Sequence, residues 1–170
     1  MSKATDPSVL EALLDSWDRN NTIMLNLLRA LPEGGLEVKA TKSSPSVAQQ
    51  FTHIHHERLV SVFEEAPEFA RNVPEEEWLA ERDKKRIAQM LEGSAKAVRD
   101  AVRGRVLAGR EMDLHYDHPV LLLQLLLWHE GYHHGQIKLA LKVAGYPISD
   151  EEAGPFTWGV WKNTKGERNG

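Results

Sequence analysis

The chain has no cysteine among its 170 residues. Disulfides, thiolate metal sites and a cysteine nucleophile are therefore excluded, and any metal must be held by histidine, carboxylate or water. Long apolar runs are missing too. The most apolar stretch, Val120 to Trp128, is nine residues long and already contains Gln124, against the roughly 20 residues that span a bilayer. Net charge is small, -4, with both signs interspersed, which leaves no electrostatic footprint for nucleic acid or an anionic membrane. No segment alternates with period two, and no repeat or low-complexity tract is present. The first residues, Met1 to Asp6, lack the apolar region of a signal peptide, so a cytoplasmic location is the expectation. A chain of this length predicts one domain, residues 1–170, large enough to enclose a core.

What the sequence does contain is helical periodicity. Asp6 as N-cap and Pro7 at the first helical position open a first helix. In it Leu10, Leu13, Leu14, Trp17, Met24, Leu27, Leu28 and Leu31 recur at spacings of three and four up to Pro32. Asn20 and Asn21 interrupt that stripe near its middle; a mid-helix asparagine more often faces solvent than carries a function, and neither is assigned a role. Ser44-Pro45 repeats the cap-plus-proline signal and starts a second helix through Val47, Phe51, Ile54, Leu59, Val62 and Phe63, stopping before Pro67. From Glu64 to Asp83 the chain is acidic, and the Glu75-Glu76-Glu77 run predicts a solvated connection with a short helical turn near Trp78. A third helix carries Ile87, Leu91, Val98, Ala101 and Val102, with Gly104 as its expected end, and Pro119 opens a fourth that runs to Ala144 with Gly145 as C-cap. The tail holds Trp158 and Trp161 and is predicted to pack on the bundle, with about the last eight residues loose. Four long amphipathic helices joined by long connections predict an all-α four-helix bundle.

The chemistry concentrates in histidines. His129 and His133 lie four apart, on the helix face of Leu122, Leu126, Ile137 and Ala140, so the two imidazoles stack one turn apart and can converge on one metal ion. His129-Glu130-x-x-His133 matches the H-E-x-x-H zinc peptidase motif, in which the glutamate is the general base. The same pair equally fits two of three ligands in a helical bundle, or two core histidines held by carbonyls and carboxylates. The lack of strands and of a firm downstream ligand, Glu151 and Glu152 lying in a turn-like segment, weighs against the peptidase. On the second helix, His53, His55 and His56 cannot all face one core at 100° per residue. His53, beside the apolar stripe, is the candidate third ligand, whereas His55 and His56 are expected at the surface. His115 and His118 flank the start of the fourth helix and are expected to be loop and capping residues.

These patterns resemble the DinB/YfiT-like superfamily. The resemblance rests on Ser46-Val47-Ala48-Gln49-Gln50-Phe51-Thr52-His53 in the second helix, and most specifically on His129-Glu130-x-x-His133-x-Gly135-Gln136-Ile137 in the fourth. Family members typically have arginine where this chain has His134, a departure that does not touch the ligand positions. The resemblance implies an up-down-down-up helix order, frequent homodimers, and zinc or nickel held by His53, His129 and His133. Characterised relatives include bacillithiol-dependent transferases and mycothiol-dependent isomerases. The expectation that follows is a metal-dependent transferase or hydrolase acting with metal-bound water or with a low-molecular-weight thiol, which a chain without cysteine would have to take as a cosubstrate. The alternative is a non-catalytic, metal-stabilised dimeric bundle or small-ligand sensor. Gln136, one turn beyond the pair, is either a site-orienting residue or simple packing.

Overall fold

The computed structural model describes residues 7–162; the expected Asp6 cap and the loose last eight residues lie outside them. Four long helices are present: α1 (Pro7–Ala30), α2 (Val47–Glu65), α3 (Lys84–Leu107) and α4 (Pro119–Val143). Two short ones, α5 (Asp150–Ala153) and α6 (Trp158–Lys162), follow. Among the described residues there is no strand, only an isolated bridge between Lys39 and Ser46. No helix of these residues is long and apolar enough to cross a membrane.

Local chemistry sets the helix ends, with two departures from expectation. The start of α2 is not at Ser44-Pro45. Ser46 is the N-cap, its hydroxyl accepting from the Gln49 N–H at 3.2 Å while its own N–H donates to Gln49 Oε1 at 2.9 Å, a reciprocal capping box that outweighs the proline signal. Nor does Gly104 end α3, which continues to Leu107 and is closed by Gly109 at φ 62°. Gly104 is small for a packing reason: a Cβ there would run into the ring of Phe69 in the 3-10 turn Pro67–Phe69. Gly104→Ala is therefore expected to destabilise by about 1–3 kcal/mol through overpacking, although alanine is the better helix former by about 1 kcal/mol. A denaturant titration that finds it stabilising would contradict this contact. The end of α4 is as expected, with Gly145 at φ 87° beyond the last turn.

The buried apolar side chains fall into two clusters that also give the helix directions. Leu10, Leu14 and Trp17 of early α1 meet Leu59 and Val62 of late α2, Val98 and Val102 of late α3, and Leu122 and Leu126 of early α4. At the other end Met24 and Leu28 of late α1 meet Val47 and Phe51 of early α2, Ile87 and Leu91 of early α3, and Ile137 and Leu141 of late α4. Hence α1 and α4 run one way and α2 and α3 the other, the up-down-down-up order. Phe63, counted with the α2 stripe in the sequence, is exposed. The tail is held on α1: Asn26 Nδ2 donates to the Phe156 carbonyl at 3.1 Å, and Arg19 donates to the Val160 carbonyl.

Between the two apolar clusters α1, α2 and α4 contribute polar side chains at the same level, and α3 contributes a backbone carbonyl. Arg58 and Glu130, both fully buried, form a bidentate pair, Nε to Oε1 at 2.7 Å and Nη2 to Oε2 at 2.6 Å. Arg58 Nη1 also donates to Asn21 Oδ1 at 2.9 Å and to the Leu91 carbonyl at 2.8 Å, and Asn20 Nδ2 donates to Glu130 Oε2 at 2.6 Å. The guanidinium lies 4.9 Å over the Trp17 ring. Asn20 and Asn21 thus do not face solvent as their mid-helix position suggests; they satisfy a buried charge pair, which would be costly without such partners.

Candidate metal centre

The same middle level holds the histidines. α2 presents His53 and α4 presents His129 and His133, and their ligand atoms lie within 4.8 Å of one another. His53 Nε2 is 3.2 Å from His129 Nε2, which is 3.1 Å from His133 Nε2. A tetrahedral ion with Zn–N bonds of about 2.0–2.1 Å separates its ligands by roughly 3.3–3.4 Å, so His129 Nε2 already sits near a ligand spacing from each of the other two nitrogens. His53 and His133 are buried and His129 is half-buried, which makes the His129 side the open approach.

The electrostatics favour neutral rings. Burial first, and the neighbouring His129 next, push both His53 and His133 down to about 4. Neutral imidazole is the form that binds metal. The metal-free chain then carries a pH dependence of defined sign. Between about 4 and the ordinary value of 6.5 the unfolded chain holds protons on these rings that the folded chain does not, so stability falls as pH falls through that window and is unaffected by them above it. Melting temperatures of the metal-free chain should drop from pH 6.5 toward 4.5, and drop less steeply in His133→Leu. Identical slopes for the two proteins would contradict the assignment.

The acidic connection supplies the rest of the site. It does not form a helical turn at Trp78; a hydrogen-bonded turn places Glu77 and Trp78 over His53. Gln49 Nε2 donates to the Trp78 carbonyl at 3.0 Å and Thr52 Oγ1 to the Leu79 carbonyl at 2.8 Å, pinning the loop to α2. The Trp78 ring stacks on His53 at 4.0 Å and 5°. Glu77 Oε1 lies 2.9 Å from His53 Nδ1, within ion-pair distance but off the line of a well-directed hydrogen bond. A carboxylate there favours the proton on Nδ1 and leaves the Nε2 lone pair turned toward the other two histidines. Glu77, grouped by sequence with a solvated run, is half-buried against the site. If His53 ligates a metal ion, Glu77→Gln is expected to weaken its binding about 10–100-fold, the usual effect of losing an outer partner of a ligating histidine; competition against a chromophoric chelator measures it, and unchanged affinity would remove Glu77 from the site.

The structure also places Glu130 and the remaining histidines of the second and fourth helices. Glu130 is not poised as a general base, because both its oxygens are engaged by Arg58 and Asn20 in the bundle interior. The H-E-x-x-H spacing is thus met without the peptidase arrangement. His55 is not at the surface: it is buried with Nδ1 2.7 Å from the Met90 carbonyl, and burial lowers its proton affinity. His56 is half-buried beside Glu57. His118 does cap α4, accepting from the Val120 N–H at 3.2 Å, and His115 in the preceding loop pairs with the buried Glu65 at 2.5 Å. Arg58 and Trp78 were invisible as partners in the sequence, since an arginine in an amphipathic helix and a tryptophan in an acidic loop carry no spacing signal.

Comparison with curated proteins and with solved structures finds no match. The family model described as DinB family matches residues 1–154, which include all four long helices and the three histidines. With that match over most of its length, the chain belongs to the DinB family.

Proposed function

We propose that this protein is a metal-dependent enzyme in which His53, His129 and His133 hold one divalent ion, zinc or nickel, and that it acts as a transferase or hydrolase. The observation that carries the reading is the convergence of three imidazoles, His129 Nε2 lying 3.2 Å from His53 Nε2 and 3.1 Å from His133 Nε2, with two of the rings held neutral by burial. Three imidazoles would hold the ion, which when bound would lower the pKa of water or of a thiol and so supply hydroxide or thiolate near neutral pH. The thiol would be a low-molecular-weight cosubstrate, because the chain has no cysteine of its own.

The chain's residues do the rest. Glu77 keeps the proton on His53 Nδ1, Trp78 covers the far face of the His53 ring, and Gln49 and Thr52 hold that cover in place. Arg58, five residues beyond His53, and Glu130, next to His129, tie α2 to α4, so that His53 stays in register with the pair on α4. A thiol or water would enter from the His129 side.

The test is cobalt-substituted protein titrated with a small thiol. Thiolate binding gives a near-ultraviolet sulfur-to-metal charge-transfer band and perturbs the visible d–d bands, and the reading expects both in wild type and neither in His53→Ala. A cobalt spectrum indifferent to thiol, in a protein that also hydrolyses no activated ester or amide, would favour the non-catalytic, metal-stabilised bundle.

A further inference from the structure

We propose that the cleft between α2, α3 and the connection that follows α2 binds a small organic carboxylate, at a site separate from the metal centre. His55, Leu59 and Phe63 stand four apart along α2, and Gln89, Gly93 and Lys96 stand four and three apart along α3, spacings that make each set one ridge of its helix. His55 and Leu59 face the α3 ridge across an open cleft of about 590 Å³, with Arg71 and Asn72 of the connection at its edge. That is the size of a small-molecule site. Arg71 and Asn72 also border the space beside the exposed ring of Phe63, so the cleft continues from a polar floor to an apolar end. His53 and His55 are two residues apart, hence about 200° apart around α2, which turns the cleft away from the three histidines.

The groups in the cleft are open to a ligand, and their chemistry selects one. Among the described residues Arg71 is the one arginine with neither a hydrogen bond nor an ion pair. Its guanidinium is a planar fork that matches a carboxylate with two parallel hydrogen bonds. Lys96, the other cation at the cleft, is already paired with Asp100 at 2.5 Å, so one unpaired positive charge remains and suits a single negative charge. On the floor, His55 Nδ1 faces the Met90 carbonyl at 2.7 Å and carries its proton there, which leaves the Nε2 lone pair of the neutral ring as an acceptor. The side chains of Asn72 and Gln89 bond to no described residue and offer donors and acceptors. The ligand that fits has a carboxylate for Arg71, an amide or hydroxyl for His55, Asn72 and Gln89, and an apolar group for Phe63. Gly93 keeps the cleft open: a Cβ there would meet nothing within 4 Å, so packing does not require glycine in mid-helix, where it is a poor helix former.

The experiment is an amide NMR titration of the isotope-labelled full chain with hippurate, which carries a carboxylate, an amide and a phenyl ring on a short chain. Wild type should bind saturably, with the shifted amides centred on Arg71, Asn72 and Gly93. Methyl hippurate, which lacks the charge, should bind about tenfold or more weakly, and so should hippurate to Arg71→Gln. Gly93→Leu, whose side chain enters the cleft, should lose binding with helicity unchanged. His133→Ala should bind as wild type does, which separates failure of this site from failure of the metal reading. No saturable shift in wild type, or undiminished affinity for the methyl ester or in Arg71→Gln, would overturn the proposal. Equal binding of inorganic phosphate would do the same by making Arg71 a general anion contact. Shifts centred on His53, His129 and His133 that vanish in His133→Ala would place the carboxylate at the metal centre and overturn the separate site.

Discussion

Glu130→Ala is expected to be among the most damaging single substitutions in the chain. It leaves the Arg58 guanidinium fully buried with its carboxylate partner gone, while the Asn21 and Leu91 acceptors satisfy only part of it. Breaking a buried pair in this way costs about 3–5 kcal/mol, which at about 2–4 °C per kcal/mol for a chain of this size lowers the melting temperature by roughly 6–20 °C. Arg58→Met should cost a similar amount for the mirror reason. The double variant Arg58→Met with Glu130→Leu should recover most of the loss, because a buried ion pair is worth little against apolar side chains of like volume. Calorimetry on the three proteins checks this. Additive losses in the double variant, or a Glu130→Ala protein within a degree or two of wild type, would contradict the buried network. A zinc peptidase would show the reverse pattern, losing activity and little stability when this glutamate is changed.

The second large effect concerns metal and stability together. If the three histidines form the site, free metal at 1,000 times its dissociation constant raises wild-type stability by about 4.1 kcal/mol, and the same metal leaves His53→Ala and His133→Ala unaffected. Each variant should lose more than the 10–100-fold in affinity expected for Glu77→Gln, because it removes a ligand and not its support. Denaturation with and without added zinc, at neutral pH where the rings are already unprotonated, measures both quantities. Metal that stabilises the alanine variants as much as wild type would place the site elsewhere.

The fold was legible because helix signals are local. Leucine spacing, Pro7 and Pro119 at helix starts and Gly145 beyond a helix end were enough for four helices, and the two apolar clusters then fix their directions. Gly104 misled because glycine in a helix has two physical causes, a stop or a close approach, and only the position of Phe69 distinguishes them. The histidines were legible for the same reason as the helices: a spacing of four puts His129 and His133 on one face. What periodicity does not encode is a partner distant in sequence. Asn20 with Glu130, Arg58 with Glu130 and Glu77 with His53 are separated by 110, 72 and 24 positions, and each joins different elements. The polar residues of the middle level therefore look like interruptions of amphipathic stripes, whereas together they form one layer that cuts the core in two. His55 misled likewise, since a carbonyl on α3 satisfies it where its own helix offers nothing.

The central proposal is that His53, His129 and His133 of this layer hold a metal ion between α2 and α4. Its most direct test is elemental analysis by mass spectrometry of tag-free protein purified without chelator, as isolated and after reloading with zinc or nickel and exhaustive dialysis. The account predicts about one ion per chain in wild type and none in a His53→Ala protein whose helicity is intact. No retained metal in reloaded wild type, or one full equivalent still bound in His53→Ala, would contradict it and leave the three imidazoles as a hydrogen-bonded core.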